Sequence, residues 1–162
     1  MAFDAFVRID GIDGESGDDR HPNWIEVITF ETGLNQNIST TASSAGGASA
    51  ERADFKGFIF TKLLDIASPK LALACAAGTH IDHVVLELCR SGGDKLMYME
   101  YKMSNCLISR FNVAGGPGEF PAEWISINFG KIQWRYVVQR RKGGGAAGQM
   151  VTGWNLERNC RL

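Results

Sequence analysis

The sequence is short of the features that mark catalysis, metal binding and membrane insertion. Its four cysteines, Cys75, Cys89, Cys106 and Cys160, form no C-x-x-C pair, which argues against a zinc or thioredoxin-like site. A chain of 162 residues can bury a core without disulfides or metals as staples. Cys75, Cys89 and Cys106 therefore read as small buried hydrophobes, and Cys160 as an exposed, oxidisable thiol near the end. The formal net charge is -1, so no whole-domain electrostatic pull draws the chain to nucleic acid or to an anionic membrane. No run approaches the length of a membrane-spanning helix. Asp4 and Arg8 interrupt the opening residues where a signal peptide would stay apolar, so the chain is expected to be made and folded in the cytosol.

Chemistry is equally sparse. There are three histidines, His21, His80 and His83. His80-Ile81-Asp82-His83 invites a metal reading, as in a metal hydrolase, but it lacks the helical H-E-x-x-H spacing and reads better as a turn pair. No G-x-S-x-G elbow and no Ser, His and acid triad stand out. Gly143 to Gly148 satisfies G-x-G-x-x-G formally, yet Gln149-Met150-Val151 leads into a strand rather than a helix, so it reads as a hairpin loop. Arg140-Arg141-Lys142 is a short basic run of the kind that usually sits on a solvated face. Asn37-Ile38-Ser39 fits the glycosylation triplet, a pattern discounted without a secretory signal. No catalytic, cofactor-binding or metal-binding residue is assigned, and an enzyme is not expected.

What is present is period-two patterning. Phe3, Ala5, Val7 and Ile9 alternate with polar residues, Phe6 excepted, and predict a half-buried strand. A second strand is expected from residue 24 to about 30, apolar on both faces, and a third over 53–60. Ser68 as N-cap, Pro69 in the first turn and Gly78 at the stop predict one short helix, with Leu71, Ala74 and Cys75 on one face. Strands are expected again from Val84, through a turn at Ser91-Gly92-Gly93-Asp94, and from Met97 toward Val113. In the run 124–138 the apolar positions are odd up to Phe129 and even after Gly130, a flip that signals a β-bulge or sharp bend. A last strand is expected over 150–156. The fold class is mainly β: a small antiparallel β-barrel, capped by the helix, as a single domain over residues 1–162.

These residues together resemble the haemolysin-coregulated protein (Hcp) family, the tube subunit of the type VI secretion system. Met1 to Ile9 is similar to the family's first strand, Gly14-Glu15-Ser16 to its G-E-S loop, and Phe60-Thr61-Lys62 with Asp65 and Ser68-Pro69 to its F-T-K segment before the helix. Ala74-Cys75, Gly78-Thr79-His80 and Gly153-Trp154-Asn155 continue the likeness, which covers about residues 1–159.

The resemblance implies a homohexameric ring, stacked into a tube. Its partners would be further copies of itself, a spike protein at the tip, a contractile sheath and effector cargo in the lumen. It implies secretion through the apparatus without a signal peptide. Residues 38–50 are rich in small polar side chains and are expected to order only on assembly. Ile38, Ser39, Thr40, Thr41, Ser43, Ser44 and Ser49 are the candidate stacking contacts. Glu31, on the segment 24–36, is the candidate lumen residue. Two rivals remain on sequence alone: the tube protein of a contractile phage tail, and a monomeric barrel that binds a small ligand.

Overall fold

The computed structural model describes residues 3–38 and 50–162. Among these, the chain runs as β1 (Phe3–Ile9), β2 (Ile25–Val27), β3 (Thr29–Asn35), β4 (Asp54–Leu63), α1 (Ser68–Ala77), β5 (Ile81–Arg90), β6 (Met97–Ala114), β7 (Ala122–Gln139), β8 (Ala146–Asn155) and β9 (Cys160–Arg161). Every ladder is antiparallel. The sheet order is β2-β1-β5-β6-β7-β4-β3, and β8 joins β7 with β9 beyond it. That path is open, but its two ends, β2 and β3, are successive pieces of one segment. Ile28 separates them, and its N–H donates to the Thr61 carbonyl of β4 at 2.8 Å. One stretch thus meets β1 and then β4, and the sheet rolls on itself.

Alternation along each strand fills the inside of this roll. Val7, Ile25, Phe58, Phe60, Val84, Leu86, Ile125 and Ile127 are fully buried there. Burying each such side chain stabilises the fold by ~1.5–3 kcal/mol.

The phase flip at Gly130 is a bend, not a bulge. The β6–β7 register passes through unshifted, from Ser104↔Lys131 to Cys106↔Phe129. Opposite Gly130 sits Asn105, whose φ is 55, so both strands turn at one level. A Cβ on Gly130 would collide with the Glu157 carboxylate and with Asn105. The true bulge lies lower, between Ile108 and Arg110 of β6.

Phe6, the exception in the alternation of β1, is also buried. It points outward, under the loop of residues 11–24, so β1 and β5 are covered on both faces. The helix packs Leu71 and Ala74 into the core, while Cys75 is only half-buried. Gly78 ends it in the left-handed region at φ 61. Its start corrects the sequence reading: the N-cap is Ala67, with no side-chain cap bond. Asp65 organises this turn instead. Its Oδ1 accepts from the Ala67 N–H at 2.9 Å, and its own N–H donates to Ser68 Oγ at 3.1 Å.

Candidate functional site

The most elaborate cluster lies where the 11–24 loop meets β5. The loop is folded tightly on itself: Gly14 N–H donates to the Asn23 carbonyl at 2.8 Å and Ser16 N–H to the Trp24 carbonyl at 3.0 Å. A Cβ on Gly14 would strike the Trp24 carbonyl at 2.5 Å and the Ile25 backbone, so a glycine is required there. This fold drives His21 inward to 2% exposure. Its ring stacks on Phe6 at 4.2 Å and meets the edge of Trp24 at 4.9 Å. Both ring nitrogens face a carboxylate oxygen, Nδ1 that of Asp18 at 2.8 Å and Nε2 that of Glu87 at 2.7 Å. Lys95 pairs with Asp18 from the β5–β6 turn. Lys95 first, then His21, holds the Asp18 carboxyl well below the usual carboxylate range.

His21 Nε2, the Glu87 carboxylate and Cys89 Sγ lie within 4.8 Å of one another, the make-up of a small metal-ligand set. Cys89 Sγ is 3.8 Å from Nε2, which also suggests a Cys–His dyad. Burial, and next the Glu87 charge, push the Cys89 thiol up to about 11, which works against its acting as a free nucleophile, since attack needs the thiolate. The arrangement acts as a clamp, pinning the loop across β1 and β5.

A second cluster sits under the start of α1. Lys62 and Glu123 face each other in the β4–β7 register, and both side chains are sealed from solvent, at 0% and 1% exposure. Lys62 Nζ donates to Glu123 Oε2 at 2.6 Å, to the Leu63 carbonyl at 2.9 Å and to Ser68 Oγ at 3.1 Å. It also pairs with Asp65 at 2.8 Å. Glu123 Oε2 accepts further from Ser68 Oγ at 3.0 Å, while its Oε1 has no partner. Four groups, from β4, β7, α1 and the turn between β4 and α1, converge on one ammonium, which locks the helix to the roll.

The candidate stacking, lumen and metal-reading residues do not gather around either cluster, whereas Lys62, Asp65 and Ser68 of the F-T-K segment meet in the second. Asp82 and His80 are exposed, and His83 Nδ1 lies 3.3 Å from Ser104 Oγ on the neighbouring strand. Glu31 is exposed on β3, opposite Ile59. Ile38 is 62% exposed and bridges to Ala50. Ser39, Thr40, Thr41, Ser43, Ser44 and Ser49 lie outside the described residues. Cys89 and Cys106 are buried thiols, as expected; burial pushes Cys106 up to about 12. Cys160 is half-buried rather than exposed. His21 and Lys62 were named in the sequence, one as a histidine and the other in the F-T-K segment, but neither was given a role there. The signal for His21 was Phe6, an apolar residue out of phase in β1 that required a cover.

The outer surface has a different character. Large apolar side chains stand in water at many places. Ile28, Leu63, Leu64 and Phe120 line an opening of about 360 Å³ beside the end of β4. Tyr136 and Met150, paired across β7 and β8, are 48% and 68% exposed.

Residues 6–136 match the family model described as type VI secretion system effector, Hcp. Protein hcp1 of Pseudomonas aeruginosa is 30% identical over 163 residues, covering 99% of each chain. The chain belongs to the Hcp family. It is accordingly a type VI secretion system protein. Among solved structures, one titled as a type six secretion system protein is 33% identical with a TM-score of 0.93, covering 99% of this chain and 100% of that one. Hcp1 from Salmonella typhimurium is 29% identical with a TM-score of 0.82, covering all of both chains. Gly14-Glu15-Ser16 lies in the loop that carries the His21 clamp, and Phe60-Thr61-Lys62 ends in the buried Lys62.

Proposed function

We propose that this Hcp-family chain is the structural subunit of the secretion tube and has no catalytic role. Residues 1–162 act as one domain, six copies close into a ring, and the rings stack. The tube is assembled in the cytosol from a chain needing no signal peptide. A contractile sheath drives it out behind a spike protein, with effector proteins in its lumen. One observation carries this reading beyond family membership: the folded subunit leaves Ile28, Leu63, Phe120, Trp124, Tyr136 and Met150 in water, although its interior is filled. A ring of copies gives those side chains a place to go.

In this reading the stretch from Ile38 to Ser49 makes contacts between copies, supported by its small polar composition and by the exposed Ile38. Glu31 faces the lumen, supported by its exposure on β3. A small-ligand barrel is the second reading; against it stands the family match, while Phe58, Phe60, Leu86, Ile125 and Ile127 occupy the inside of the roll.

The test is the particle formed by the purified chain. Size-exclusion chromatography with light scattering should give six times the subunit mass of 17.7 kDa, and negative-stain images should show annuli. A chain that stays monomeric when concentrated, with no annuli, overturns the proposal. Deleting residues 39–49 should leave rings folded and weaken their stacking. Tubes of unchanged length in that deletion would remove the loop from the interface.

A further inference from the structure

The His21 cluster contains a sulfur that the clamp does not use. Cys89 Sγ lies 3.8 Å from His21 Nε2, the same nitrogen that meets the Glu87 carboxylate at 2.7 Å. The three donor atoms fall within 4.8 Å of one another. Nitrogen, oxygen and sulfur thus converge on one point from two separate parts of the chain. Glu87 and Cys89 are two residues apart on β5, so alternation along the strand sends both to the face that the 11–24 loop covers. The loop brings His21 down on them, and the Phe6 stack and the Trp24 edge fix the plane of its ring.

The far side of the ring is fixed too. Nδ1 lies 2.8 Å from Asp18 Oδ2, and that oxygen also accepts from the Arg20 and His21 backbone N–H groups at 3.2 Å. A carboxylate at one ring nitrogen holds a proton there and leaves the other nitrogen's lone pair for a metal, which is how ligating histidines are oriented. Zinc bonds of ~2.1 Å to nitrogen and oxygen and ~2.3 Å to sulfur, set tetrahedrally, separate N from S by ~3.6 Å and N from O by ~3.4 Å. The sulfur already stands close to that separation. The carboxylate must back away by ~0.7 Å to reach it. Glu87 has room to do so, since its side chain keeps 19% exposure while His21 and Cys89 are covered.

We propose that His21, Glu87 and Cys89 form a zinc site that fastens the loop of residues 11–24 to β5. A mixed nitrogen, oxygen and sulfur set selects zinc over calcium and magnesium, which take oxygen. The ion replaces the hydrogen between Nε2 and Glu87 and the one on the Cys89 thiol, so two protons leave as one Zn2+ enters. Burial keeps a thiol protonated, but a coordinated thiol gives up its proton to the charge beside it. Three protein ligands leave a fourth position for the second Glu87 oxygen or for water. Glu87, the most exposed of the three, marks the way in.

The experiment uses the full chain without a histidine tag, treated with a chelator and then titrated with Co2+ as the coloured stand-in for zinc. One cobalt should bind per chain and give a thiolate-to-cobalt charge-transfer band, and zinc should displace it. Cys89→Ser should lose the band. Asp18→Asn, which touches the ring but not the ion, should keep the band and weaken affinity about 10–100-fold. His80→Gln with His83→Gln removes the other two histidines and should bind as the wild type does. A wild type without the band, a band that survives in Cys89→Ser, or binding lost with His80 and His83 overturns the inference. A further measurement needs no variant to fold. Zinc at about a hundred times its dissociation constant should slow alkylation of Cys89 about a hundredfold, read by peptide mapping, because only the metal-free chain opens. An alkylation rate indifferent to zinc also overturns the site. All three donors come from one copy, so none of these outcomes bears on the tube reading.

Discussion

Two buried charge clusters hold this subunit together, and they differ in their access to water. The Lys62 cluster is sealed: its ammonium and the Glu123 carboxylate have lost solvent entirely, and one Glu123 oxygen has no partner. The His21 cluster is a clamp at the surface. The imidazole is buried, but Glu87 keeps 19% of its side chain exposed and Lys95 keeps 41%. In the first, desolvation has been incurred in full, so removing either charge strands the other. In the second, water and salt reach the outer partners and weaken their Coulomb attraction. The sealed pair fixes a helix to a core, and the open one fastens a loop.

The largest effect is therefore expected from breaking the sealed pair. Glu123→Ala leaves Lys62 with Asp65 and a void, and should cost about 3–5 kcal/mol in urea unfolding. Replacing both partners, Lys62→Met with Glu123→Leu, should recover most of that loss, since an apolar pair of similar volume needs no compensation. A cost for Glu123→Ala well under that range would show that water reaches the site. His21→Ala comes next, at about 2–4 kcal/mol, because it removes the ring under Phe6 and leaves two carboxylates without their shared donor. It should also let a thiol reagent reach Cys89, fully covered in the native chain. Unchanged protection of Cys89 would mean that the loop is held by other contacts.

The two clusters also differ in how far the sequence revealed them. The strands were legible because alternation at period two is dictated by having one wet and one dry face. The flip at Gly130 showed where the longest pair bends. Ser68 misled: a hydroxyl before a proline at a helix start fits an N-cap, but a buried lysine six residues earlier claims that oxygen. Lys62 lay just past the expected strand 53–60 and was read only as part of the F-T-K segment. That it points inward follows only from its pairing with Glu123, on a strand 61 residues away. His21 shares the difficulty, since its partner Glu87 lies 66 residues on. Local patterns report which face is buried; they do not report which distant charge shares it. Exposed apolar residues such as Ile28 and Tyr136 are harder still, because in a local pattern they follow the same rules as those of the core.

The smallest effect should come from the open end of the surface clamp, and it should depend on pH and salt. Lys95 and His21 hold the Asp18 carboxyl well below its ordinary value in the folded chain, while unfolded it titrates near ~3.9. The unfolded state therefore takes up a proton first as pH falls. The stability owed to Asp18 is complete above about pH 5 and drains away below about pH 4. Asp18→Asn should flatten that acid limb of the stability curve relative to the wild type. Lys95→Met should flatten it in part, as the first of the interactions that lower Asp18, and its effect at neutral pH should fade with added salt. Equal acid limbs in wild type and Asp18→Asn would show that the clamp does not respond to pH, and that its hold on the loop comes from the Phe6–His21 stack rather than from charge.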